Sequence, residues 1–323
     1  MSILKELPYK ELYMSDQKII AALVIAVIFS AIVTPHGVFA QAPSYAELDS
    51  RPYTAGVDAD PDMFIKSWKE STPQKFHGSL VAREIFTALE GEDPFRPTRR
   101  GAVLTNIKTF CYATLSPRQK TAITLKDTQE IYYVDEGSAA ITSKGVTKEL
   151  YRGVGVLMPP DVEFTLENTG DADFSMYVIG ENLPDGFRPN RAMKVVDEAD
   201  VELSGTTGHW AHIFRYLFKE EDGLATLVGM GPCQFAPMSM GQPHSHVAEV
   251  EEIWFAVEGD INILLGKQLR KLPPGTAYKI PPNGETPHSN INVGDETISL
   301  FWFMHIPTNE VMIRDGSPIR RPE

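Results

Sequence analysis

The chain repeats itself, and the repeat limits the possible fold more than any other feature of its 323 residues. Glu130, Gly137, Gly153 and Pro159 recur as Glu252, Gly259, Gly275 and Pro281, with the same intervals of 7, 16 and 6 and a common offset of 122. The text between them agrees: Glu130-Ile-Tyr-Tyr-Val-Asp-Glu-Gly stands against Glu252-Ile-Trp-Phe-Ala-Val-Glu-Gly. Cys111 and Cys233 share the offset, and Asn168-Thr-Gly-Asp answers Asn292-Val-Gly-Asp at a slightly different one. Upstream, His77, Arg83 and Phe86 answer His209, Arg215 and Phe218. Self-similarity of this kind predicts two like domains in tandem. Neither copy has long helical periodicity. Residues 131–134, 154–158, 174–179 and 261–265 read as strands, so the expected class is all-β.

The second copy carries the chemistry. Gly241-Gln242-Pro243-His244-Ser245-His246 is followed by Glu252 and Gly259, and then by Gly275, Pro281-Pro282-Asn283-Gly284, His288 and Asn292. Neutral imidazoles and a carboxylate are good ligands for a divalent transition ion. His244 and His246 are two residues apart, so on a strand they project from one face. The glycines and the proline pair of the second block mark a strand, a tight turn and a return strand.

These two blocks resemble the two sequence motifs of the cupin superfamily. His244, His246, Glu252 and Gly259 match the first motif's HxH, glutamate and closing glycine. Gly275, Pro281, Pro282 to Gly284, His288 and Asn292 match the second. Gly241 lies closer to His244 than the family's opening glycine, and the gap from His246 to Glu252 is longer than the family's. Glu249 and Glu251 are therefore alternatives to Glu252, which alone keeps the family's distance to the glycine. The resemblance implies a bicupin: two tandem double-stranded β-helix (jelly-roll) barrels. In the second barrel, His244, His246, Glu252 and His288 would ligate one divalent transition metal, manganese or iron ahead of zinc or nickel.

The two copies are not chemically equal. Where the second has His244 and His246 the first reads Ala122 and Thr124, and for His288 it has Phe164 or Leu166. Only Glu130 survives, and a single carboxylate does not hold a transition metal. The first barrel is expected to keep the fold without the site. His209-Trp210-Ala211-His212 matches His77-Gly-Ser-Leu80 in the repeat, so it reads as part of the fold rather than as a further metal pair.

Three histidines and one carboxylate leave one or two coordination positions for substrate oxygens, water or dioxygen. Gln242 shares parity with the two histidines, Tyr278 precedes the turn, and His305 follows Phe301-Trp302-Phe303 on the last strand. These three are the candidate catalytic residues, with Trp254 as an apolar wall. No GxSxG nucleophile motif or phosphate loop accompanies them. The expected function is an exported, metal-dependent enzyme, oxygenase or decarboxylase-like, acting on a small oxygen-rich molecule. One alternative is a Lewis-acid isomerase or lyase on a uronate-like sugar, with Tyr278 or His305 moving the proton. Another is a non-enzymatic metal- or sugar-binding module.

Lys18, the apolar run 19–33 and Val38-Phe39-Ala40-Gln41 are the parts of a secretory signal, predicted over residues 1–40 with cleavage after Ala40 and Met14 as an alternative start. An uncleaved anchor is the rival, disfavoured by the shortness of the run. The mature protein is then periplasmic or secreted. The predicted order is an N-terminal arm over 41–74 with a short helical candidate at 62–70, a first barrel over 75–183, a linker over 184–206, a second barrel over 207–310 and a tail over 311–323. The net charge is −13 with no basic cluster, which argues against nucleic acid and anionic membranes as partners. A small molecule is the expected partner, with no stable membrane association after cleavage; a homodimer fits a first barrel kept for structure. Export permits a disulfide between Cys111 and Cys233. Symmetry-related groups meet only near the relating axis, however, so two buried free thiols are expected.

Overall fold

The computed structural model describes residues 51–88, 91, 93–204, 211–307, 311–314 and 317–320. The predicted signal segment, the start of the arm and His209-Trp210 lie outside these residues. Every strand pairing is antiparallel, and the only helical segments described are short 3-10 turns. Among the described residues no helix is long and apolar enough to cross a membrane.

Each half pairs a large sheet with a small one. In the first half the large sheet runs Lys194–Asp197, Val154–Met158, Gln129–Glu136, Phe174–Glu181, Ile107–Leu115, Val81–Thr87, Gln74–Lys75. Its small sheet runs Lys120–Thr124, Glu163–Asn168, Ala139–Ser143, Val146–Leu150. The second half repeats the plan. Its large sheet runs Ile65–Ser67, Thr276–Lys279, Glu251–Glu258, Ile298–His305, Leu227–Phe235, Ile213–Phe214, with Phe218–Lys219 also on Leu227–Phe235. Its small sheet runs Ser239–Met240, His288–Asn292, Ile261–Leu265, Gln268–Leu272. The asparagines matched by sequence do the same work in each half. Asn168 donates to the carbonyls of Leu115 and Ala172, and Asn292 to those of Phe235, Ala236 and Glu296.

The central strands of both large sheets are buried on both faces, which is why they read as nearly unbroken apolar runs. One face of each closes its own barrel; the other meets the opposite half. In the first half Cys111, Tyr132, Val156 and Val178 pack inward against Ile141, Phe164 and Leu166 of the small sheet. On the reverse face Phe110 lies 5.4 Å from Phe255 and 5.0 Å from Phe303, and Tyr133 lies 4.3 Å from Phe301, ring centre to ring centre. Each such aromatic pair adds about 0.5–1.5 kcal/mol to the burial itself. Cys111 and Cys233 are buried free thiols.

The arm and the linker are exchanged between the halves. Ile65–Ser67, from the arm, pairs with Thr276–Lys279 of the second half; Lys194–Asp197, from the linker, pairs with Val154–Met158 of the first. The registers match: Ser67 stands opposite Thr276 and Asp197 opposite Val154, which is 122 residues before Thr276. Each strand runs into a 3-10 turn whose first N–H bonds the carbonyl of the repeat's glycine: Trp68 to Gly275 and Glu198 to Gly153. The helical candidate at 62–70 is thus two 3-10 turns around a three-residue strand. Asp60 and Ser67 cap those turns, and the strand between them pairs instead of continuing a helix.

Strand register also corrects two sequence-based equivalences. Arg83 stands opposite Tyr112, and in the second half Ile213 stands opposite Gln234, the counterpart of Tyr112. Arg83 therefore answers Ile213, not Arg215. Phe164 pairs with Ile123 in the first half, as His288 bridges His244 in the second. The positions of His244 and His246 are thus held by Ile123 and Leu125, both buried, while Ala122 and Thr124 face outward. A one-residue slip in a strand reverses the face, and no spacing rule catches it.

Candidate metal centre

The four predicted ligands converge inside the second half. One donor atom from each of His244, His246, Glu252 and His288 lies within 4.8 Å of the others. That spacing is close to the roughly 4 Å separating two donors across an ion with ligand bonds of about 2.1 Å. Glu252 Oε2 lies 2.6 Å from His246 Nε2 and 3.0 Å from His288 Nε2. Glu252 and His288 are buried, while His244 and His246 are half-buried.

The segment carrying the two histidines is not the regular strand that parity suggested. Pairing with His288–Asn292 is regular only at Ser239–Met240 and then reduces to single contacts: the Gly241 N–H to the Asn290 carbonyl, and a mutual pair between His244 and His288. Pro243 has no N–H to continue a ladder. The mutual pair, with bonds of 3.2 and 2.8 Å, sets two ligands side by side. Their rings lie 4.3 Å apart, centre to centre.

The donor set fits a transition ion. Imidazole nitrogen with carboxylate oxygen suits manganese, iron, nickel and zinc. His244 Nδ1 donates to the main-chain carbonyl of Gln242 at 2.8 Å, which makes Nε2 the lone-pair nitrogen of the neutral ring. Burial would raise the Glu252 carboxyl, but the charges of His246 and His288 and their hydrogen bonds hold it well below the ordinary carboxylate range. It is therefore a ligand-ready anion.

Glu251 is not a ligand. It faces the other half, where its carboxylate accepts the main-chain N–H groups of Thr105, Asn106 and Ile107 at 2.9, 2.6 and 3.1 Å. Glu249 is exposed in the connecting turn. Glu252 is the carboxylate of the cluster.

The three candidate catalytic residues are placed differently from one another. Gln242 contributes its main-chain carbonyl to His244, its side chain half-buried. Tyr278 stands opposite Trp254 on the inward face, fully buried, and its hydroxyl donates to Asn290 Oδ1 at 2.9 Å. His305 does not join the cluster. It stands opposite Glu251 on the face turned towards the first half, and its Nδ1 lies 2.8 Å from the Thr226 carbonyl. Trp254 does line the interior, with His212 stacked on it at 5.2 Å.

Two contacts of the paired glutamates were not read from the sequence. Trp302 Nε1 donates to Glu252 Oε1 at 2.5 Å, a contact that only the pairing of two distant strands reveals. In the first half Glu130 is not solitary: His77 Nε2 lies 2.8 Å from Oε1, and the Tyr132 hydroxyl donates to Oε2 at 2.8 Å. Both oxygens are thereby occupied within an apolar barrel. His77 belongs to the turn before the strand Val81–Thr87, far in sequence from Glu130.

Residues 233–304 match the family model described as Cupin domain. Solved structures share the fold over most of the chain. A glyoxylate-induced protein from Pseudomonas aeruginosa superposes with a TM-score of 0.60 at 13% identity, covering 79% of this chain and 94% of its own. Ylba from E. coli gives 0.56 at 13%, with 75% and 90% covered. The oxalate decarboxylase of Lactobacillus farciminis, solved as a formate complex, gives 0.56 at 11%, with 76% and 86% covered. At these identities the likeness establishes the fold. No curated protein matches in sequence. The second half thus carries a cupin domain, and the chain's two like halves have the fold of a bicupin.

Proposed function

We propose that this protein is a metal-dependent enzyme whose single centre, in the second half, acts on a small oxygen-rich anion of the carboxylate or 2-oxo-acid type. The observation that carries this is the convergence of His244, His246, Glu252 and His288 within 4.8 Å, with two of the four open towards solvent. A manganese or iron ion bound there would act as a Lewis acid and, where the chemistry needs it, as a redox partner. This chain's own residues orient the ligands through Gln242 and Trp302. Superposition on an oxalate decarboxylase supports the substrate class. The Lewis-acid isomerase alternative needed a proton carrier at Tyr278 or His305. The first spends its hydroxyl on Asn290 and burial pushes its phenol up; the second faces away. Oxygenase or decarboxylase chemistry is therefore preferred. Export is part of the proposal and rests on the N-terminal sequence alone.

The test is metal analysis of the purified protein, followed by chelation, anaerobic reloading with manganese or iron, and assays on oxalate and glyoxylate with oxygen uptake and carbon dioxide release monitored. Turnover restored only by metal is expected. A protein that holds metal yet turns over neither anion, with or without dioxygen, sinks the enzyme assignment in favour of a binding module.

A further inference from the structure

A carboxylate binds a metal through one oxygen or through both, and the choice decides how many positions remain for substrate. In the second half the two oxygens of Glu252 have separate surroundings. Oε2 faces His246 and His288, whereas Oε1 accepts the indole N–H of Trp302 at 2.5 Å. Both side chains are buried, Trp302 to within 4% exposure and Glu252 to within 3%, so water does not compete for that bond.

The indole is held in place from several sides. Its ring lies 5.5 Å from Phe214, 5.9 Å from Tyr216 and 6.2 Å from Trp254, centre to centre. Behind it lies Gly229, where a Cβ would sit in ordinary contact with Tyr216 at 3.4 Å and with the six-membered ring of Trp302 at 3.5 Å. The first half provides an internal control. Trp302 stands opposite Trp254, and the equivalent pair in the first half is Val178 opposite Tyr132. The barrel without the histidines thus also lacks the indole. There Glu130 has both oxygens occupied, by His77 and by Tyr132.

We infer that Trp302 is a positioning residue that holds Glu252 as a one-oxygen ligand, so that the centre keeps two adjacent positions and takes substrates that bind through two oxygens. This rests on the metal centre proposed above. Three imidazoles and one carboxylate oxygen leave two positions on an ion that accepts six donors; a carboxylate bound through both oxygens leaves one. Outer contacts of this kind typically alter metal affinity or activity by about 10–100-fold.

The full chain is loaded with cobalt(II), whose visible absorption reports the number and type of ligands, and titrated with oxalate as a two-oxygen probe and formate as a one-oxygen probe. In the unaltered protein oxalate is expected to bind more tightly than formate and to change the spectrum. In Trp302→Phe the cobalt spectrum is expected to shift before any anion is added, and the preference for oxalate over formate to fall by about tenfold or more. An unchanged spectrum and an unchanged oxalate-to-formate ratio in Trp302→Phe overturn the inference. If that variant does not fold, 3-benzothienylalanine at position 302 keeps the bicyclic shape without the N–H and gives the same two outcomes. A chain that takes up no cobalt at all removes the metal centre itself, a failure visible in the unaltered protein before any variant is made.

Discussion

The carboxylate of Glu251 accepts the main-chain N–H of Ile107 at 3.1 Å, so the residue beside the metal-site glutamate is anchored in the other half of the molecule. The reverse contact exists as well. Glu181, on the last strand of the first half, accepts the N–H groups of Ala225, Thr226 and Leu227 at 3.0, 2.7 and 2.9 Å. Each half thus closes a backbone turn of the other with a fully buried carboxylate. The carboxylates are not at equivalent positions. Glu181 stands opposite Gln129, and the matching pair in the second half is His305 opposite Glu251. The acid has changed strand while keeping its task.

Removing Glu181 takes the acceptor from the buried N–H groups of Thr226 and Leu227 and the half-buried one of Ala225; removing Glu251 takes it from the buried N–H of Ile107 and the more exposed ones of Thr105 and Asn106. Glu181→Ala is expected to destabilise the fold by about 3 kcal/mol or more, at a cost of about 1–3 kcal/mol per unsatisfied group. Glu251→Ala should cost at least as much, because Lys279, fully buried with its Nζ 3.6 Å from Glu251, loses its counter-charge. Denaturant unfolding measures both; a loss below about 1 kcal/mol for each would show that the nests do not join the halves.

One ion per chain is the expected stoichiometry. The first barrel presents Ile123, Leu125 and Phe164 where the second presents ligands, and its glutamate is already bonded on both oxygens. Elemental analysis that returned two equivalents of similar affinity would contradict this.

Paired substitutions separate the halves. His246→Ala and Glu252→Ala are each expected to weaken metal binding by more than about a hundredfold, beyond what outer contacts alone do. Glu130→Ala should leave metal content unchanged while costing about 1–3 kcal/mol of stability, since it strands the buried Tyr132 hydroxyl. Equal metal loss from Glu130→Ala and Glu252→Ala would mean that the first barrel's carboxylate reaches the ion.

Acidification should act in two stages. Protons compete with the metal for the imidazole nitrogens as pH falls, so occupancy drops first. Glu252 stays ionised at that point, because its folded value is lowered below the ordinary 4.5. A lowered carboxyl stabilises the fold fully above its unfolded value, and that contribution disappears as pH falls through the folded value. Metal-free protein is therefore expected to keep its fold between the two stages and to lose stability only below about pH 4.5. Full metal occupancy well below that pH would show that the ligands are not histidines.

The exchanged arm is testable at Gly275, which has a φ of +85 and would bring a Cβ to 2.7 Å from Trp68 Nε1. Gly275→Ala is expected to cost about 1–3 kcal/mol through backbone strain and to loosen the Trp68 turn. Faster limited proteolysis within 51–75 is the signature; an unchanged cleavage rate would place the arm's anchorage elsewhere.

The repeat of glutamate, glycine and proline at constant intervals was enough to establish two like all-β halves, and the crowding of three histidines on one of them located the cluster that could hold a metal. Those features are local: turn residues act on their own backbone, and ligands close in sequence remain close in space. Register was not legible. Ala122 and Thr124 align with His244 and His246 by counting, yet face outward, because a single-residue shift around an irregular segment turns every side chain over. The faces of the long strands were equally hidden, since burial on both sides erases the alternation that would have shown His305 pointing away from the histidine cluster and Trp302 towards Glu252. The partners of Glu130, Glu181, Glu251 and Glu252 come from segments distant in the chain or from the opposite half. Only the packing of two barrels back to back, with their arms exchanged, brings those groups within hydrogen-bond distance.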